Sequence, residues 1–108
     1  MHFKCKCHEP PFSYLDFDTI DLGEDQNGAE VTVDNCKQCG KKWLKYLIEQ
    51  PHYSHSGRWW RAPIKDTTNA GITSEIAKAY LESLEWCFVG GSFHKEGIHK
   101  IKRPIKVA

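Results

Sequence analysis

Apolar and polar residues alternate early in this chain. Leu15-Asp16-Phe17-Asp18 switches at every step, and Ile20 and Leu22 follow at a spacing of two. That period puts one side of an extended segment in a core and the other in water, so residues 14–22 are predicted as a strand, with an irregularity near Thr19. Asp25-Gln26-Asn27-Gly28 follows, and Asn-Gly tolerates the positive φ angles of a tight hairpin. Val31 and Val33 flank Thr32 and continue as a second strand. Residues 42–49 (KWLKYLIE) are apolar and aromatic enough for a central strand, with a short helix as the competing reading, and Pro51 ends them. Residues 52–57 form a polar loop, residues 58–64 (RWWRAPI) another strand, and residues 66–71 a loop.

The pattern then changes period. Ile76, Ala77, Tyr80, Leu81, Leu84, Cys87 and Phe88 recur at three- and four-residue steps, which predicts an amphipathic helix over 73–89. Thr73 or Ser74 can cap it, Glu75 suits its first turn, and Gly90-Gly91 can end it. The remainder, 92–108, is a basic tail in which Ile98, Ile101 and Ile105 can dock an edge strand. The expectation is an α+β fold: a small antiparallel sheet with one C-terminal helix packed on it.

Composition narrows this to one domain, 1–108. The chain has 108 residues, 40% of them hydrophobic and 27% charged, which suits a globular domain with a small core. The net charge of +1 hides an asymmetry. Residues 1–35 carry eight acids against Lys4 and Lys6, whereas residues 36–108 carry thirteen Lys and Arg against six acids. The halves can neutralise each other, or leave a basic face for an anionic partner. The opening MHFKCKCHEPPF lacks the apolar stretch of an export signal, and no run approaches a membrane span. A cytoplasmic protein is expected.

Five cysteines then change the picture. Cys36-Lys37-Gln38-Cys39-Gly40 lets two thiolates reach one ion from a single turn, and the glycine lets the backbone bend toward the sulfurs. Cys5-Lys6-Cys7-His8 supplies the two further ligands of a tetrahedral site. In a chain expected in a reducing compartment, such clusters favour a metal over disulfides. Cys87 stands apart and reads as a small buried hydrophobe. A ligand pair, a hairpin, a C-x-x-C-G knuckle and a strand together resemble a zinc ribbon, the rubredoxin-like metal module, over residues 5–64. The resemblance implies a structural Zn²⁺ at Cys36 and Cys39 with Cys5 and either Cys7 or His8; Cys7 is preferred because it makes an all-sulfur set. The family's first knuckle is usually C-x-x-C, and here it is C-x-C. Four thiolates close the coordination sphere, so catalysis at this ion is not expected. Iron could replace zinc in such a set.

Residues 52–61 (HYSHSGRWWR) hold the next densest chemistry. Strand alternation sends one of Trp59 and Trp60 to a core and the other outward, where Arg58 or Arg61 can stack on it. The leading expectation is a non-enzymatic binding module acting through protein–protein contact, as an adaptor, a small subunit or an inhibitor of the immunity type. Its surface would centre on Tyr53, His55, Arg58, Trp59 and Arg61. The second reading is nucleic-acid binding through the Arg-Trp-Trp-Arg stretch and the basic tail. The third is a metalloenzyme with an open site.

Overall fold

The computed structural model describes residues 7, 12, 14–48, 57–64, 72–91 and 97–107. A short 3₁₀ turn, Tyr14–Asp16, leads into the first strand. The strands are β1 (Phe17–Glu24), β2 (Glu30–Cys36), β3 (Lys42–Ile48), β4 (Arg58–Pro63), β5 (Trp86–Gly90) and β6 (His99–Lys102). They form one six-stranded sheet in chain order, and every neighbouring pair is antiparallel. A six-residue helix, α1 (Ala77–Glu82), lies between β4 and β5.

The expected α+β architecture is therefore wrong, and the fold is mostly β. The helix foreseen over 73–89 is six residues long, and the end of that span, from Trp86, is a strand. At the end of α1 the Ser83 hydroxyl donates to the Tyr80 carbonyl at 2.6 Å, and the Ser83 N–H turns back to Ala79 at 3.1 Å. Beyond it come Trp86-Cys87-Phe88-Val89, aromatic and β-branched residues that fit a pleated surface. A strand offers them two buried faces: Cys87 and Val89 enter one core cluster, while Trp86 and Phe88 join another. A helix would have left half of that apolar area in water. Neither Thr73 nor Ser74 caps the helix, because α1 starts after Ile76 without a side-chain capping bond.

Alternation along the strands builds two layers of core. On one face Val31, Val33, Leu44, Tyr46, Trp60, Ala62, Cys87 and Val89 gather with Ala77 and Leu81 of α1 and with Ile105 and Val107 beyond β6. On the other face Phe17, Cys36, Trp43 and Phe88 pack with Cys7, and with the half-buried Phe12, Trp59, Trp86 and Ile98. This double coverage explains why β3 reads as a nearly unbroken apolar run. The β1 register shifts between Asp21 and Gly23, a bulge three residues beyond Thr19, near which an irregularity is expected.

The turn between β1 and β2 is tied to the core. Gly28 takes a φ of +81°, as its Asn-Gly signal requires. Asp25 accepts hydrogen bonds from the Asn27 and Ala29 N–H groups, both at 2.9 Å, and from the buried Tyr46 hydroxyl. Burial alone would raise the Asp25 carboxyl, but these donors outweigh it and hold it below the usual carboxylate range. The Tyr46 hydroxyl is pushed up to about 12 by burial and by the bond to Asp25.

Candidate metal centre

The knuckle forms where β2 turns into β3. Cys36 ends β2, and its N–H donates to the Lys41 carbonyl while the Gly40 N–H returns to the Cys36 carbonyl, both at 2.9 Å. Gly40 takes a φ of +76°, which a side chain would resist. The Lys37 N–H donates to the Asp16 carbonyl at 3.0 Å, pinning the knuckle to the start of β1. This narrow loop presents Cys36 inward and Cys39 outward, and Cys7 joins them from the N-terminal side.

The three Sγ atoms lie within 4.8 Å of one another, and Cys7 and Cys39 are 3.7 Å apart. Zn–S bonds of about 2.3 Å at tetrahedral angles place sulfurs about 3.8 Å apart. A disulfide needs about 2.05 Å, and none of the three cysteines is in one. The spacing fits sulfurs that share an ion, and thiolate donors suit zinc or another thiophilic metal. Cys7, Cys36 and Cys39 could thus hold a metal ion, with three ligands among the described residues. Cys5 and His8 lie outside the described residues.

A buried cation lies beside the cysteines. Arg61 is 3% exposed although it is charged. It faces the same side of the sheet as Trp43 and reaches across β3 to pair with Asp34 on β2. Its Cζ sits 4.5 Å from the Phe17 ring centroid, 4.7 Å from Phe12 and 5.3 Å from Trp43. Burial pulls the guanidinium down; the hydrogen bond and charge of Asp34, with the Cys7 and Cys36 sulfurs, push back. Lys45 lies next to it in the register, and burial takes its ammonium below the usual lysine range.

The residues expected to meet a partner are divided. Arg58 and Trp59 are half-buried on β4, Arg61 is in the core, and Tyr53 and His55 lie outside the described residues. The tandem tryptophans do separate by alternation. Trp60 enters the main core, and Trp59 takes the other face. Lys45 lies over Trp59, with its Nζ 5.6 Å from the ring. Gly90 lies opposite Trp59 in the register and leaves room for its indole. Sequence reasoning missed the Asp34–Arg61 pair and its aromatic cage. The period-two placement of Arg61 with Trp59 was the available signal; the Asp34 partner two strands away had none. Cys87 is fully buried, and burial pushes its thiol up to about 12, so it is chemically quiet. No helix among the described residues is long and apolar enough to cross a membrane.

Comparison of the chain with protein-family models, with curated proteins and with solved structures finds no match. The zinc-ribbon resemblance therefore rests on the cysteine cluster alone.

Proposed function

We propose that this chain is a non-enzymatic binding module whose sheet is stapled by one structural Zn²⁺ and which acts through protein–protein contact. The observation that supports the staple most is the 3.7 Å separation of Cys7 and Cys39 Sγ within a three-sulfur cluster. Cys5 would complete the set and close the coordination sphere. A closed thiolate sphere leaves no position for substrate, so the ion's work is folding free energy rather than catalysis. Contact with the partner falls to β4, where Trp59 and Arg58 are half-exposed, and to Tyr53 and His55 before it. Aromatic and arginine side chains of this kind often anchor interfaces.

Native mass spectrometry and elemental analysis of the full chain test the staple. One zinc per chain, lost in Cys36→Ser together with folded structure, supports it; a metal-free chain that stays folded removes it. Affinity capture with wild type beside Trp59→Ala tests the contact surface, with loss of a reproducible partner expected in the variant. Capture unchanged by Trp59→Ala and Arg58→Ala would move the interface elsewhere.

A further inference from the structure

The two ends of the sheet carry opposite charge. β1 and β6 close the strand order, so each has a hydrogen-bonding edge with no strand beside it among the described residues. Such an edge is a template for a further strand. The ionisable residues of β1 are Asp18, Asp21 and Glu24, all acidic and all exposed. Those of β6 are His99, Lys100 and Lys102, and Arg103 comes next; Lys100, Lys102 and Arg103 are exposed. The Arg103 N–H still donates to the Glu85 carbonyl at 2.8 Å, so the line of the strand reaches it. Inside the chain, Asp18 meets only Lys37, at 4.0 Å. Asp21 accepts the Gly23 N–H through Oδ1 at 2.8 Å, and Lys100 lies over the Trp86 ring at 4.2 Å. No ion pair among the described residues engages Asp21, Lys100 or Arg103, and none joins β1 to β6. Between the two aspartates Ile20 is 52% exposed.

We infer that β1 of one copy pairs with β6 of a second copy, extending the sheet from chain to chain. Every neighbouring pair is antiparallel, so β6 runs opposite to β1 and a copy that continues the sheet meets it antiparallel. Ile20 lies opposite Val33 and Ile101 opposite Cys87, which puts both isoleucines on the side of the main core. Setting Ile101 of the second copy opposite Ile20 then sets Lys100 opposite Asp21, Lys102 opposite Thr19 and Arg103 opposite Asp18, with every pair on a matching face. β1 against a second β1 would gather only carboxylates, and β6 against a second β6 only basic groups. Like charges on facing strands repel. Each edge is thus blunted against its own kind and complementary to the other. The contact is heterologous, so it leaves one β1 and one β6 free to add further copies. It uses neither the metal cluster nor the β4 surface.

Sedimentation velocity of the full chain under reducing conditions tests the pairing. Dimers and longer assemblies should appear as protein concentration rises and fade as salt is added, because exposed pairs are screened. Asp18→Asn with Asp21→Asn should weaken association about tenfold, and so should Lys100→Gln with Arg103→Gln, about the worth of two cross-strand charge pairs. An equal mixture of these two double variants should restore dimers but not longer assemblies, because it holds one intact edge of each charge. Lys78→Gln with Lys106→Gln removes the same charge away from both edges and should change nothing. Should an edge variant fail to fold, the concentration and salt dependence of wild type decide alone. A chain that stays monomeric at every concentration, an edge variant that associates as wild type does, a mixture no better than either variant alone, or an equal loss in the Lys78 and Lys106 control would each overturn the pairing.

Discussion

Replacing Asp34 by alanine isolates the cost of leaving Arg61 charged and buried without its partner. Asp34 is 13% exposed and Arg61 3%, so neither group has much water to fall back on. The three rings around Cζ supply cation–π attraction, at about 0.5–2 kcal/mol per ring when desolvated. That attraction is already present in the wild type and does not grow when Asp34 leaves. The loss therefore follows the pattern of a broken buried ion pair, about 3–5 kcal/mol. A domain of this size commonly has about 5–15 kcal/mol in all, so the variant should fold but unfold at much lower denaturant. The assay is urea unfolding of wild type, Asp34→Ala, Arg61→Met and the double variant, followed by tryptophan fluorescence. The double variant should be more stable than Asp34→Ala alone, because no unpaired charge is left inside. High salt should change little, since a buried pair is poorly screened. An Asp34→Ala loss below about 1 kcal/mol, or one that disappears in high salt, would show that water reaches the pair and that the cage is not a closed one.

Further outcomes follow from the geometry. Tyr46→Phe should cost about 2 kcal/mol at neutral pH, by urea unfolding, because Asp25 loses a donor to its charged form. Since Asp25 is held below its ordinary 3.8, its contribution is full above that pH and is lost as pH falls through the lower folded value; Tyr46→Phe should lose less on acidification, and an unchanged acid limb would contradict the assignment. At the other end, Tyr46 is raised from 10.0 to about 12, so its contribution is full below pH 10 and should vanish as pH rises to 12. Gly90→Ala puts a Cβ 2.5 Å from Trp59 Cζ2, which should shift the tryptophan emission and cost about 1–3 kcal/mol by overpacking; an unaltered spectrum would mean that the indole lies elsewhere. In metal-free protein, iodoacetamide mapped by mass spectrometry should label Cys39 early and Cys87 only on unfolding, and early Cys87 labelling would refute its burial. Chelation of a zinc-loaded sample should release Cys7 from the knuckle and lower the unfolding midpoint, and an unchanged midpoint would show that the metal does not hold the fold.

The parts of the fold that were legible are those where a local pattern and a local turn agree. Leu15 to Leu22, Val31 and Val33, and the Asn-Gly between them announced β1 and β2. Residues 42–49 and 58–64, bounded by prolines, announced β3 and β4. An edge strand is expected from Ile98, Ile101 and Ile105; β6 runs from His99 to Lys102, and Ile105 enters the core beyond it. The failure was at residues 84–89. There the apolar positions fit a helical step as well as a fully buried strand, because a strand covered on both faces loses its alternation. Only the presence of β4 to pair with decided the matter, and pairing partners are not visible in local period. Cys36 and Cys39 were legible because one turn makes them neighbours. Asp34 and Arg61 were not, because they meet across an intervening strand, 27 positions apart in sequence.

The cysteine cluster and the cage around Arg61 also depend on each other through the chain. Cys36 and Phe17 are register partners at the end of the sheet. Asp34 lies two positions before Cys36 on the same face, and Phe17 is one wall of the cage. Phe12, another wall, follows Cys7 by five positions in the sequence. An ion bridging Cys7 to the knuckle would shorten the tether from which Phe12 must find Arg61, and a short tether costs less entropy to close than a long one. The Cys7 and Cys36 sulfurs, with Asp34, also push the buried Arg61 guanidinium back up against the pull of burial. Binding of a metal at this cluster would therefore favour cage closure and retention of the Arg61 charge. That coupling gives a small sheet a reason to keep a buried arginine where an apolar residue would pack with less cost.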